Sequence, residues 1–192
     1  MKATAILLIN VYLLSTFQLT NAASSKMHAN AVREEGKALL VWKVGLDNNN
    51  QLKLSSWSAL RNPCTNWIGI RCNKVGKIAI FNVTSFGIKG IPNHLNFSSF
   101  PHLTTIEHFD NALYGSIPPN IGNLSELIYL SLPGNHFSGV IPIEICKLTT
   151  LRHLILFNNS FHRPIPQKIG LLSSLVELDL GENELTGNPH IH

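Results

Sequence analysis

The sequence predicts an α/β solenoid: a right-handed superhelix of stacked coils, with a concave parallel β-sheet and a helical cap at its N-terminal end. Three observations carry this prediction. One apolar pattern recurs at a fixed step, asparagines fall in one column of it, and a segment holding all three tryptophans and two close cysteines precedes the first copy. A fixed period of 20 to 50 residues marks a chain built from units that bury their apolar sides only against neighbouring units.

Taken in order, the first element is a leader. Residues 1–22 carry Lys2, an apolar stretch from Ala3 to Leu14, and small residues around Thr20, Ala22 and Ala23. That is the layout of a secretory signal peptide cleaved after Ala22. Asn10, Ser15, Thr16 and Gln18 interrupt the stretch, whereas a spanning helix needs about 20 continuous apolar residues. No later stretch approaches that length, so the mature chain is expected to have no transmembrane segment. The 192 residues include 15 Lys and Arg against 11 Asp and Glu, and 44% are apolar. This composition suits one domain or one short repeat array, and without a run of Lys or Arg it offers nucleic acid no footprint.

Residues 23–77 form the expected cap. Cys64 and Cys72 lie close together in NPCTNWIGIRC, and in an oxidising compartment such a pair reads as a disulfide. Zinc would need two further ligands nearby, and none is adjacent. A bridge closing so short a loop contributes about 2–3 kcal/mol in the chain-entropy model. Cys146 is left over, read as a free buried thiol, with pairing to another chain as the alternative.

Residues 78–187 hold about five repeats, beginning at Ile78, Leu103, Leu127, Leu151 and Leu175, with steps of 25, 24, 24 and 24. Counting each start as position 0, apolar residues fall at positions 3, 5 and 10, followed by glycine at 12 and an Ile-Pro step. The alternating piece, such as Leu130 and Leu132, is a short strand with one face inward. Asn111, Asn135, Asn159 and Asn183 share position 8, where the chain turns out of its strand. An amide there can donate to and accept from the backbone of adjacent coils, so a ladder along the solenoid is expected. Gly115, Gly139 and Gly187 ease the next bend, and Pro118, Pro142 and Pro166 delay the helical turn that returns along the convex side.

These columns match the L-x-x-L-x-L-x-x-N-x-L signature of leucine-rich repeats. The 24-residue N-x-L-x-G-x-I-P form resembles the plant-specific class of these proteins. Residues before the repeats resemble that class's N-terminal cap, with a helix bearing Leu39, Trp42 and Leu46, then Ser56-Trp57 and the Cys64 to Cys72 bridge around Trp67 and Gly69. The resemblance runs from about residue 34 to residue 187 and is strongest to the ectodomain start of receptor-like kinases of the MDIS1-interacting type. It implies a concave face that binds peptides or proteins. Residues 188–192 read as an uncapped tail without a cysteine cap, membrane helix or kinase after it, so a truncated receptor fragment with no independent role is one alternative.

Two positions depart from the pattern. His108 stands at inward position 5 in place of leucine, as a neutral histidine partly buried in a tolerant coil or as a pH-sensitive site, and Arg163 stands in the glycine column, where a slightly altered bend is expected. The nine histidines form no H-E-x-x-H spacing, and no nucleophile motif or phosphate-binding glycine loop is present, so neither an enzyme nor a cofactor or metal site is expected.

A binding face is expected instead. Position 2 supplies Thr105, Tyr129, His153 and Glu177; position 4 supplies Glu107, Ser131, Ile155 and Asp179; position 6 adds Phe109 and Phe157. Exposed aromatics beside acids suit an extended peptide or a protein edge. Sequons at Asn82, Asn96, Asn123 and Asn158 fit a secreted glycoprotein, with Asn123 on the convex return the best acceptor. The leading reading is a secreted or apoplastic recognition module for a peptide or another leucine-rich repeat receptor, reaching the cell surface only through a partner. An inhibitor of a microbial wall-degrading enzyme is the other alternative.

Overall fold

A computed structural model describes residues 32–187, apart from the side chains of Asn48, Asn49 and Asn93. The leader, its cleavage site and the tail with His190 and His192 lie outside the described residues. Helix α1 covers 32–44 and buries Leu39 and Trp42. Leu46 follows the end of the helix and forms an antiparallel bridge to Gly90, tying the cap to the first coil. A 3-10 segment, Asn48–Leu54, and a single helical turn α2, Pro63–Asn66, complete the cap. Asn62 starts α2 because its side chain accepts the Cys64 N–H, and Cys64 is bonded to Cys72.

Eleven short strands follow: β1 Ile70–Cys72, β2 Ile78–Asn82, β3 Lys89–Gly90, β4 Thr105–Glu107, β5 Ala112–Gly115, β6 Tyr129–Ser131, β7 His136–Gly139, β8 His153–Ile155, β9 Ser160–Pro164, β10 Glu177–Asp179 and β11 Glu184–Thr186. One six-stranded sheet runs β1-β2-β4-β6-β8-β10, parallel throughout except for the cap strand β1, which is antiparallel to β2. A second sheet, β11-β9-β7-β5-β3, is also parallel. The sequence pattern does not foretell this second sheet. It forms because each bend stays extended for a few residues, and coils stacked at one step bring those stretches into register too. The convex returns are 3-10 turns, Pro119–Asn123, Ile143–Lys147 and Gln167–Leu171, each entered through a proline at 118, 142 or 166.

The inward columns form one continuous core. Leu103, Leu127 and Leu151 open their coils fully buried, and Ile106, Leu130 and Leu154 lie behind them. The asparagine ladder is present. Asn135 accepts the Leu113 N–H at 3.1 Å and donates to the His108 carbonyl at 2.6 Å, and Asn111, Asn159 and Asn183 repeat the motif. Each amide thus satisfies backbone groups whose burial without a partner would cost about 1–3 kcal/mol.

The cap seals the first coil with aromatic and polar contacts together. Trp42 meets Phe81 edge-on at 5.3 Å, and Trp57 stacks on Trp67 at 5.1 Å. Glu35, 3% exposed, accepts the Ile78 N–H at 2.9 Å, so the cap also supplies an acceptor to the first coil's strand. Burial raises the Glu35 carboxyl above its ordinary value despite that bond and nearby Lys77. Lys43 donates to the Leu54 and Trp57 carbonyls, both at 2.8 Å, and closes the 3-10 segment; burial lowers its pKa.

Arg163 keeps the left-handed backbone of the glycine column, with φ of 73° against 84° at Gly115 and 83° at Gly139, and β9 runs on to Pro164 where β5 and β7 end at the glycine. His108 is more deeply buried than a tolerant coil requires, at 5% exposure. It stacks on Trp42 at 6.1 Å and meets Phe81 at 4.4 Å, and burial lowers its pKa to about 3.

Candidate functional site

The parallel register turns sequence columns into spatial rows. Thr105 lies beside Tyr129, Tyr129 beside His153, and His153 beside Glu177. Glu107, Ser131, Ile155 and Asp179 form the adjacent row. Because strand side chains alternate faces, inward Ile106, Leu130, Leu154 and Leu178 separate these two outward rows.

The first row is internally connected. The Tyr129 and His153 rings lie 5.2 Å apart, and His153 Nδ1 lies 2.9 Å from Glu177 Oε2. In the second row, Glu107 accepts a hydrogen bond from Asn82, and Asp179 accepts the Gly181 N–H at 3.1 Å. Phe109 is 49% exposed and Phe157 half-buried, together adding an aromatic margin beyond the rows. Phe157 can lie close to the next coil because position 181 is glycine: a Cβ there would stand 3.2 Å from its ring.

Nine of the ten expected face residues therefore remain at least partly open. Ser131 does not, at 6% exposure. It is a short side chain flanked in register by the longer Glu107 and Ile155, which cover it, so the row has a shallow point there. Among the sequons, Asn82 stands in the second row, bonded to Glu107, while Asn96, Asn123 and Asn158 are exposed. Asn123 lies on a convex turn and donates to Ser98 Oγ at 2.8 Å.

Sequence reasoning missed Glu35, Lys43 and a contact across the edge of the cap, where the Tyr114 hydroxyl donates to Asp47 at 3.1 Å. That bond raises the Tyr114 pKa. Nothing local in the sequence marks these pairs, because each joins segments that only the folded cap or its packing on the coils brings together. Cys146 is a half-buried free thiol whose pKa burial raises. Among the described residues no group of three or more His, Cys, Asp or Glu could hold a metal ion, and no helix is long and apolar enough to cross a membrane.

This geometry is that of a leucine-rich repeat solenoid, and comparison with known proteins gives the same class. The leucine rich repeat N-terminal domain matches residues 32–73, and the Leucine Rich Repeat matches residues 126–148. The chain belongs to the plant leucine-rich repeat proteins. MDIS1-interacting receptor like kinase 2 of Arabidopsis thaliana is 38% identical over 110 residues, 54% of this chain and 10% of that protein. A chain from the solved BIR3–SERK2 complex of Arabidopsis thaliana superposes with a TM-score of 0.70 at 30% identity, covering 78% of this chain and 82% of that one. The plant peptide hormone receptor RGFR1, solved in complex with RGF2, gives a TM-score of 0.55 at 38% identity over 64% of this chain and 18% of that one. The chain spans about a tenth of the length of the curated relatives it matches, over their ectodomain part.

Proposed function

We propose that this chain is an extracellular recognition module whose concave face binds an extended peptide or the edge of a partner protein, such as another leucine-rich repeat receptor. The observation that carries this reading is the row Thr105–Tyr129–His153–Glu177, held in parallel register and bordered by Phe109 and Phe157. An extended ligand lying across the strands meets one outward residue of a row every 4.7–4.9 Å, against roughly 3.3 Å per residue of its own backbone, so about three ligand residues span two coils. Tyr129 and the two phenylalanines supply the aromatic anchors that dominate interface energies, and Glu107, Glu177 and Asp179 favour a basic ligand. RGFR1, a relative of the same fold, was solved with RGF2 bound, which supports a peptide as the ligand class.

The test begins with a panel of secreted peptides and receptor ectodomains, measured by calorimetry against the purified chain. For a binder so found, Tyr129→Ala with Phe157→Ala is expected to weaken affinity by more than about tenfold, and Lys147→Ala on the convex turn by less than about twofold. Equal losses from both faces, or binding untouched by the aromatic pair, would move the site off the concave sheet.

A further inference from the structure

A further concave feature, away from the two rows, lies in the cap. α1 and the segment Ser58–Cys64 face each other across a cleft of about 510 Å³. One wall is the face of α1 formed by Val32, Gly36 and Leu40, residues four apart and therefore aligned along the helix. Pro63 and Trp67 form the floor, and Leu60 stands on the rim at 98% exposure. A leucine that open, beside half-buried Leu40, gives the cleft an apolar lip that the fold itself does not use.

The charge around it has one sign. Arg33, Lys37 and Arg61 line the cleft, all exposed, and no aspartate or glutamate lines it. The neighbouring acid Glu34 is occupied with Lys37 at 2.7 Å. Arg33 and Arg61 have no ion-pair partner among the described residues. The Trp67 indole N–H, at 4% exposure, also has no hydrogen-bond partner.

From this arrangement we propose that the cap cleft is a binding site for a small amphipathic anion: an apolar body carrying one carboxylate or sulfonate-like group. The volume falls within the range of about 300–1,000 Å³ typical of small-molecule sites, which combine an apolar lining with a few placed polar groups. The apolar body lies between Leu40, Leu60 and Pro63, and the acidic group meets the guanidinium forks of Arg33 and Arg61, whose geometry suits a planar or tetrahedral oxyanion. This site is separate from the concave rows, and its occupation and theirs are independent questions.

The probe is anilinonaphthalene sulfonate, with N-phenylnaphthylamine as its uncharged counterpart, titrated by fluorescence into the intact chain. The sulfonate dye is expected to bind one to one, to be displaced by dodecanoate, and to bind more tightly than the uncharged dye. Arg33→Gln with Arg61→Gln weakens the sulfonate dye by more than about tenfold and leaves the uncharged dye within about twofold. Leu60→Gln weakens both dyes. All three substitutions are at exposed positions, and an unchanged circular dichroism melt confirms that the cap is intact. The proposal is overturned if the intact chain binds no dye, if the arginine pair makes no difference, or if the uncharged dye binds as tightly as the sulfonate. It is equally overturned if sedimentation shows a dimer that Leu60→Gln dissociates, because a second copy would then be the occupant.

Discussion

Phe81 and Leu178 occupy the same inward column at opposite ends of the stack, yet Phe81 is 1% exposed and Leu178 only half-buried. The contrast extends along both coils. Ile78, Val83 and Ile88 are fully buried in the first, whereas Leu175, Leu180 and Leu185 in the last described coil pack against the core without being covered by it. Both coils follow one pattern, so the difference does not come from their own residues. On the outer side of Phe81 stand Trp42 and Trp57 of the cap, at ring distances of 5.3 and 5.7 Å, while His108 of the following coil meets it at 4.4 Å. Among the described residues Leu178 has the β8 coil on one side and no coil on the other. In a solenoid, burial belongs to the interface between units, and a coil with one neighbour lacks one interface.

The largest effect expected from this comparison is in stability. Phe81→Ala should destabilise by about 3–5 kcal/mol, the range for a fully buried aromatic, whereas Leu178→Ala should fall at or below the lower end of the roughly 2–5 kcal/mol range for buried aliphatics. Urea unfolding of the two variants measures the difference. Equal losses would show that the open side of the last coil is covered in solution.

The repeat itself was readable because it is periodic: an inward leucine every second residue, an asparagine at the turn and a proline before the return each recur in columns, and every recurrence repeats the same inference. The cap was readable only by resemblance, since its contacts are single events. Glu35 reaching the Ile78 N–H spans 43 residues and leaves no local trace. The second sheet was hidden for a different reason: β5 and β7 carry Tyr114, His136 and Ser138, a polar run without strand alternation, and their pairing follows from stacking rather than from propensity. At the face, column logic located nine residues as open and failed at Ser131, because exposure depends on the size of register neighbours as well as on direction.

His108 sharpens the comparison through pH. It is part of the interface between cap and coil, and burial among Trp42 and Phe81 lowers its pKa from 6.5 to about 3. The folded protein therefore holds the imidazole neutral, while the unfolded chain binds a proton below about pH 6.5. Stability is unaffected by this group above that value and is lost as pH falls toward 3, at a rate approaching about 1.4 kcal/mol per unit. Between pH 6 and pH 4 the loss should be about 2.5 kcal/mol, and His108→Leu should abolish that portion. A variant with the same slope as the parent would assign the acid sensitivity to other groups. Leu178, with no titrating neighbour in its column, provides the contrasting end: Leu178→Ala should leave the slope unchanged.

The smallest effect concerns Arg163, which sits in the coil between the sealed and open ends. Its φ of 73° falls in a region that a side chain with a Cβ enters at a cost of about 1–2 kcal/mol, and the equivalent residues 115, 139 and 187 are glycines with φ of 84°, 83° and 96°. Arg163 is exposed, and among the described residues no hydrogen bond or ion pair of its side chain offsets that cost. Arg163→Gly relieves the strain but gives the unfolded chain more freedom, which offsets about 0.4–1 kcal/mol of the gain. The net stabilisation should be about 0.5–1 kcal/mol. The reverse change tests the same column one coil earlier. A Cβ at Gly139 would meet only Ser116 Cβ, at 3.4 Å, so Gly139→Arg has room and should lose about what Arg163→Gly gains. Opposite and similar shifts in urea midpoint, with unchanged slopes, establish backbone strain as the cause. If Arg163→Gly instead destabilises, the arginine stem contributes more by lying along its coil than the backbone loses in the bend, and residue 163 belongs with the side chains that hold this end of the stack together.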